Sequence, residues 1–417
     1  MTYVEFFDKN VAENICTCLS QMPKRVVLIG DKYEQLVKHA SRYREVFFKR
    51  GFDVEFVCRT VNKNNIKSIL EALIDIVDSY DKCVFDVTGG DDLHLVAMGM
   101  VWQLKRDKNI QIHRFNFQNN TIIDCDTDGN NVVSVHPYLN VDENIKVHGG
   151  DIIYDTVKPG GTHIWTVDDM LVSDVNAVWN ICKETPSVWN NYANMLGVAE
   201  KYKENKDDAL KTVTSINRIV SAIGKNQNVS FSSKGHIISK LKAAGLILEF
   251  SKNQGKLTVV YKNHNVKQFL TKAGLALEMK TYILASTIKD EDGQNIYNDS
   301  MTGVCIDWDG KIHSERGMYD TENEVDVIIM KGMIPVFISC KNGQFEMDEL
   351  YKLNSVAEKF GGKYAKKVLI ANSLNSKSDF TKHLIQRAND MGIRIVANMQ
   401  QMSESELNRI FKSFWCN

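Results

Sequence analysis

The chain has 417 residues, 43% hydrophobic and 25% charged, with 51 Lys and Arg against 52 Asp and Glu. That length suits two or three globular domains, and a formal net charge of −1 excludes nucleic-acid binding through overall basicity. The nine cysteines form no CxxC pair, which argues against a zinc module or a disulfide framework and for reduced thiols in a cytoplasmic protein. No apolar run approaches the roughly 20 residues of a membrane helix. The stretch Met1–Leu19 carries Glu5, Asp8, Lys9 and Glu13, so it does not read as a secretory signal.

From Met1 to about Leu139, strand and helix patterns alternate. Strands are expected at Thr2–Asp8, Arg25–Asp31, Phe52–Thr60, Lys82–Gly90 and Ile110–Gln118. Helices are expected at Val11–Gln21, Gln35–Lys49, Ile66–Tyr80 and Leu93–Lys105. This order predicts an α/β fold with a parallel, Rossmann-like sheet. Ligands of such sheets sit at the carboxyl ends of the strands. Three of those ends carry polar runs: Asp8-Lys9, Gly30-Asp31-Lys32 and Thr88-Gly89-Gly90-Asp91. The glycine pair lets a ligand approach the backbone, and the following helix start offers free N–H groups to a phosphate. The same pair also suits a plain tight turn. No GxGxxG or Walker A sequence occurs.

In the middle third, Gly149–Gly161 holds two Gly-Gly pairs and Pro159 and reads as a linker or loop. Val167–Lys206 has helical patterning in which Trp179, Trp189 and Tyr192 are core candidates. Ser232–Gly245 reads as a helix with a serine cap and a glycine stop, followed by a hairpin turning at Asn253-Gln254-Gly255. Helix plus hairpin gives a winged-helix-like element. Lys234, His236, Lys240 and Lys242 make it basic, but it has no arginine for reading bases, so a connecting role is expected.

Ala273–Thr287 reads as an apolar helix with one acid, Glu278; Leu275, Ala276, Met279, Tyr282 and Ile283 line its apolar side. Glu324–Gly343 reads as two strands joined at Lys331-Gly332. Glu324 and Asp326 share a face of the first strand, and Ser339 and Lys341 share a face of the second. Acid and lysine among Val, Ile and Phe are costly unless they have a task. Phosphodiester hydrolysis supplies one: the acid holds a divalent cation and the lysine positions or activates the attacking water. Phe345–Phe360 reads as an amphipathic helix with Glu346 and Glu349 on one face, either as ligands or as solvated first-turn residues. Lys366–Asn372, Lys377–Met391 and Ile393–Met399 then read as strand, helix and strand.

Asp326 followed by Ser339-Cys340-Lys341 resembles the PD-(D/E)XK nuclease superfamily, with serine where the middle acid usually stands. Some members with Ser-X-Lys take the missing carboxylate from the next helix, which points to Glu349. The resemblance implies a restriction-endonuclease-like domain with Asp326, Lys341, Glu278, Glu324, Ser339 and Glu349 at its catalytic site. It also implies Mg²⁺ or Mn²⁺ held by Asp326, Glu349 and the carbonyl of Cys340. Asp86-Val87-Thr88-Gly89-Gly90 at the fourth strand resembles the CARF (CRISPR-associated Rossmann fold) domain. The order of the two domains is similar to that of the cyclic oligoadenylate-activated nucleases of type III CRISPR systems.

That family implies a CARF domain at 1–148, a connecting region at 149–265 and a nuclease domain at 266–417. It implies a homodimer activated by cyclic tetra-adenylate, cutting DNA, RNA or both in antiviral defence. One departure stands out: Asp91-Asp92 occupies the place of Thr-Lys in many CARF domains, so Lys9 or Lys32 has to serve the phosphates. Ser339 keeps an alternative open. The chain would then be a ligand-responsive regulator that binds nucleic acid through the winged element and carries an inactive nuclease fold.

Overall fold

The computed structural model describes residues 1–126, 131–132, 136–224, 229–311, 322–375 and 377–416. The chain is mixed α/β. Its first sheet is built from β1 (Thr2–Phe6), β2 (Arg25–Gly30), β3 (Glu55–Thr60), β4 (Lys82–Asp86), β5 (Asn109–Asn116), β6 (Thr121–Asp124) and β7 (Asn131–Val132). The order is β3-β2-β1-β4-β5-β6-β7. The first five strands are parallel, and β6 and β7 extend the edge antiparallel. Strands covered on both faces need unbroken aliphatic runs, and β2 has one: Val26 and Leu28 enter one apolar cluster, Val27 and Ile29 the other. The crossovers are α1 (Cys16–Gln21), α2 (Tyr33–Lys49), α3 (Ile66–Ser79) and α4 (Asp92–Leu104). The helix expected from Val11 begins only at Cys16, after a 3₁₀ turn over Val11–Asn14. Asn14 is the reason: its side chain accepts from Asp8 N (2.7 Å) and donates to Asp8 O (3.0 Å), folding the strand end back on itself.

Next comes α5 (Val141–His148), capped by Asn140, whose Oδ1 accepts from Glu143 N at 2.7 Å. The stretch expected as a linker or loop, Gly149–Gly161, is a loop tied down to the C-terminal sheet. It contains β8 (Asp151–Ile152), which pairs antiparallel with Asp307 and Ile306 of the C-terminal sheet. Gly150 permits this close approach, since a Cβ there would lie 2.8 Å from Asp307 O. The middle third then holds α6 (Asp169–Cys182), α7 (Pro186–Lys201), β9 (Lys211–Ser215), α8 (Ile216–Ile223), α9 (His236–Ala243), β10 (Ile247–Asn253), β11 (Lys256–Tyr261) and α10 (His264–Thr271). β10 and β11 form the hairpin, and β9 adds a third strand beside β11. Trp179, Trp189 and Tyr192 are buried in the core. The helix α9 starts later than the serine cap suggested, because Gly235 N donates to Ser232 O in a turn (3.0 Å) that uses up the first residues.

The C-terminal third holds α11 (Leu275–Thr287), β12 (Asp299–Asp307), β13 (Glu322–Lys331), β14 (Ile334–Asn342), α12 (Met347–Gly361), β15 (Lys366–Asn372), α13 (Asp379–Asp390), β16 (Ile393–Ala397) and α14 (Glu404–Phe411). The sheet order is β16-β15-β14-β13-β12-β8, antiparallel from β8 to β14 and parallel from β14 to β16. Alternation along the strands decides what covers each face. Val327, Ile329, Val336 and Ile338 pack with α11 and the middle third, whereas Ile328, Met330 and Phe337 pack on the side of α5 and α12. That second cluster runs on without a break into the first sheet, through Tyr3, Tyr43 and Phe47. The helix α5 sits between, packed against both α2 and α12. The helix α11 is covered nearly all round, not on one side only. Even Lys280 is buried there, bonded to Glu404 (2.9 Å) and Asn176 (3.0 Å).

Candidate active site

The strands β13 and β14 stay paired only as far as Val327↔Ile338. One residue further, the carboxylate of Asp326 takes over. It accepts from Cys340 N at 2.6 Å and from Ser339 Oγ at 3.2 Å. On its other side the pairing with β12 also skips a step, passing from Thr302↔Val327 to Val304↔Val325. Gly303, which would face Asp326 there, lies at φ +58°, and Thr302 Oγ1 satisfies the Asp326 carbonyl at 2.9 Å. Asp326 therefore sits where β13 parts from β14, at a skipped step of the ladder with β12 that resumes at Val325.

Two cavities meet at that point. One, of about 310 Å³ on the α12 side, is lined by Ser339, Lys341, Glu349 and Lys352; the other, of about 260 Å³ on the α11 side, by Glu278, Lys272, His163 and Trp165. Glu324 and Asp326 line both. The structure thus brings Asp326, Glu324, Ser339, Lys341, Glu278 and Glu349 around one cleft. Glu346 is exposed outside it, at the cap position of α12. The end of β14 is pinned by amides: Asn342 bonds Asn190 of α7 (2.7 Å) and Asn372 of β15 (2.9 Å).

Charge in the cleft is crowded. Burial, then the neighbouring Asp326 and Glu324 carboxylates, push Glu278 up to about 8. Lys280, two residues along α11, is engaged with Glu404. Burial raises Asp326 as well, against the opposing Cys340 N–H, Lys341 and Ser339. Burial works against the Lys341 ammonium, but Glu349 at 2.8 Å and Asp326 outweigh it, and its pKa lies above the ordinary lysine value. A lysine held that firmly in its charged form is a hydrogen-bond donor and not a base. Glu349 is lowered, since the same ion pair outweighs its burial. Cys340 turns its thiol away to Thr281 Oγ1 (3.5 Å), which leaves only its backbone for the cleft.

Hard carboxylate oxygens that repel one another are donors of the kind a divalent cation takes, and a cation relieves the repulsion. Among the described residues, however, no three His, Cys, Asp or Glu side chains are drawn close enough to hold a metal together. Glu349 in particular is paired with Lys341.

The second polar site lies at the carboxyl ends of β1 to β4, in a cavity of about 290 Å³. The structure brings Asp8, Lys9, Gly30, Asp31, Lys32 and Asp91 to it. Thr88, Gly89 and Gly90 do not line it. Thr88 braces the loop instead, its N donating to Asp86 Oδ1 (2.7 Å) and its Oγ1 accepting from Phe115 N (2.8 Å). Gly89 and Gly90 are structural: a Cβ at Gly89 would lie 3.1 Å from Asp8 Cβ, and Gly90 sits at φ +96° against Phe6. Asp8 is spent on turns, accepting from Asn10 N (2.7 Å) and Gly90 N (3.3 Å). Sequence reading missed Lys63, which enters the cavity beyond β3 and pairs with Asp31 at 3.6 Å, and His94, stacked on Phe6 at 4.1 Å. It also missed a buried network beneath, where Thr17 bonds both Glu5 and Asp86.

Contacts also run between the elements behind the two sites. Glu13, buried just beyond the Asp8 turn, bonds Tyr364 and pairs with Lys363 at 2.6 Å, immediately after α12. Phe117 stacks on Tyr364 at 3.7 Å.

No family model matches the chain, and no curated protein sequence matches it. Solved structures do. The protein VC1899 from Vibrio cholerae superposes with a TM-score of 0.74 at 17% identity, over 100% of this chain and 99% of that one. Can2 from Sulfobacillus thermosulfidooxidans, solved in complex with cyclic tetra-adenylate, gives 0.64 at 14% identity over 100% and 99%. The chain shares its fold with both from end to end.

Proposed function

We propose that this chain is a cyclic oligoadenylate-activated, metal-dependent endonuclease of type III CRISPR defence, of the CARF and PD-(D/E)XK kind, acting in the cytoplasm on DNA, RNA or both. The observation that carries the reading is Asp326, placed where β13 parts from β14 and lining one open cleft with Lys341. Fold likeness to a protein solved with cyclic tetra-adenylate supports the choice of activator. Residues 1–148 form the sensor, 149–265 connect and 266–417 carry the nuclease, with 151–152 lent to the nuclease sheet as its edge strand.

Asp326, Glu349 and the Cys340 carbonyl would hold Mg²⁺ or Mn²⁺, with Glu278 and Glu324 close by. The cation would supply charge stabilisation at the phosphate. Lys341 orients the attacking water, and Ser339 holds Asp326 in place. For Glu349 to serve, its ion pair with Lys341 has to open, and this makes the pair a natural point of control. The contacts of Glu13 with Lys363 and Tyr364 run from the sensor cavity to the end of the helix that carries Glu349. A symmetric ring ligand favours a homodimer. The helix α4 offers a face for it: Val96, Met100 and Leu104, at 53, 42 and 65% exposure, follow one another on a helix whose start borders the sensor cavity.

The inactive-fold reading is favoured by Ser339 and by the closed Lys341–Glu349 pair. One experiment separates the two: plasmid DNA and single-stranded RNA are incubated with the protein and Mn²⁺, with and without cyclic tetra-adenylate. Cleavage that requires both additions supports the nuclease, and binding without cleavage supports the regulator.

A further inference from the structure

We propose that His163, oriented by Asp155, is the general acid that protonates the leaving oxygen of the cut strand. The inference deepens the nuclease reading and rests on it.

The arrangement of the cleft sets where each reacting oxygen lies. Its two cavities meet at Glu324 and Asp326. Lys341 lines the cavity on the α12 side, and His163 and Lys272 line the one on the α11 side. In a displacement at phosphorus the attacking and leaving oxygens lie roughly in line on opposite sides. A phosphate seated where the cavities meet, with its water on the Lys341 side, turns its leaving oxygen toward His163.

The histidine is built for that place. Asp155 Oδ2 lies 2.6 Å from His163 Nδ1. A carboxylate on one ring nitrogen fixes the ring's orientation and tautomer and leaves the other nitrogen for chemistry. Among the described residues Nε2 has no partner. The two residues are clamped together by their backbones: Asp155 N donates to Thr162 O (3.0 Å), and Thr162 N to Ile153 O (2.7 Å). Thr162 Oγ1 in turn accepts from Cys305 N of β12 at 2.8 Å, which fixes the loop to the sheet carrying Asp326. Trp165 meets the His163 ring edge-on at 4.6 Å. The side chains of His163 and Asp155 are 42 and 37% exposed, and an ion pair so exposed adds little to stability. Folding gives no reason for such a tightly placed pair, whereas the cleft does.

The step balances as follows. The water oxygen bonds to phosphorus while the bond from phosphorus to the leaving ribose oxygen breaks. The electron pair of that bond stays on the leaving oxygen, which takes the Nε2 proton. The proton lost by the water passes to Glu324, which lines the Lys341 cavity as well. Exchange with solvent then restores both groups.

The test uses full-length protein with cyclic tetra-adenylate and Mn²⁺ on DNA and RNA oligonucleotides. Each is made with one bridging oxygen at the cut replaced by sulfur, at the 3′ or separately at the 5′ position. A thiolate leaves without a proton, so the sulfur substrate has no need of the acid. His163→Gln is expected to slow cleavage of the oxygen substrate by about 10²-fold or more, the usual yield of a general acid. It is expected to leave the rate on the leaving-side sulfur substrate at the wild-type value, which also shows that the variant is folded. Asp155→Asn should give a smaller loss, again on oxygen alone. Equal slowing of both substrates by His163→Gln, or of neither, overturns the inference while leaving the nuclease reading intact. No cleavage of either substrate by the wild type overturns that reading and the inference with it.

Discussion

The two polar sites of this molecule are made in opposite ways. At the strand ends of the first sheet, charges stand on exposed loops, with Lys9, Asp31, Lys32 and Asp91 all at the surface and glycine and asparagine shaping the backbone beneath them. In the cleft of the second sheet, Asp326 and Lys341 are half-buried, and burial and then its acidic neighbours hold Glu278 against its own ionisation. The loop site stores its information in turn geometry. The cleft stores it in crowded charge. Substitutions should therefore act differently: in the loops through ligand affinity or backbone strain, in the cleft through chemistry.

The largest effects belong to the cleft. Asp326→Asn keeps an acceptor for Cys340 N–H but removes the charge, and Lys341→Ala removes the group that orients water. Each should lower activated cleavage by about 10³-fold or more, the worth of several kcal/mol at the transition state, with ligand affinity unchanged by calorimetry. A variant that cuts at the wild-type rate removes this site assignment.

Glu349→Gln comes next. It should cost about 10² in rate if the glutamate is one of the cation's ligands. Ser339→Glu in the same background puts a carboxylate beside Asp326 again and should recover part of the loss. Full activity of Glu349→Gln at limiting Mn²⁺ would reduce Glu349 to a partner of Lys341.

The loop site predicts smaller numbers and a split between two kinds of residue. Lys63→Ala removes one charged contact to a phosphate and should weaken ligand binding about tenfold. Its melting temperature should not change. Gly90→Ala forces a side chain into φ +96° and should cost about 1–3 kcal/mol of stability, read as a lower melting temperature. If Lys63→Ala binds normally, the lysine belongs to the surface pair with Asp31 and nothing more.

The smallest effect is on stability alone. Glu278 has a folded-state pKa of about 8 against an ordinary 4.5. Between those values the folded chain keeps a proton that the unfolded chain has lost, so stability falls as pH rises through that window. Glu278→Gln should remove this fall and be the more stable protein at pH 8, as thermal melts across the range will record. Parallel curves for the two proteins would mean that Glu278 is not crowded by Asp326 and Glu324.

Much of this was legible in the sequence, for reasons that particular residues make plain. Alternation along Glu324–Lys331 and Pro335–Lys341 placed Asp326 and Lys341 correctly, because strand period is set by backbone geometry alone. The strand ends were legible too, since alternating strands and helices leave few topologies. Partnerships across the fold were not. No local signal pairs Glu349 with Lys341, buries Lys280 against Glu404 or brings Lys63 beside Asp31. Glycine was the hardest residue to read. Gly149–Gly161 read as a linker or loop, with no sign that Gly150 packs closely against Asp307. Gly89 and Gly90 read as a ligand approach or a tight turn, and the crowding that a Cβ would meet at each accounts for the turn. A glycine reports that a Cβ is unwelcome without saying what excludes it. His163 escaped notice because it follows that stretch with no local signal of its own, and the contacts of β8 and Thr162 with β12 carry it to the cleft.

The central claim is that the loop site governs the cleft, and one measurement meets it directly. Cleavage of plasmid DNA and single-stranded RNA is followed with Mn²⁺ at increasing cyclic tetra-adenylate, for the wild type and for Lys341→Ala. The account predicts wild-type cleavage that rises with ligand and saturates, and none from Lys341→Ala although it binds the ligand equally well. Cleavage independent of the ligand, or a wild type that binds it and cuts neither nucleic acid, would contradict it.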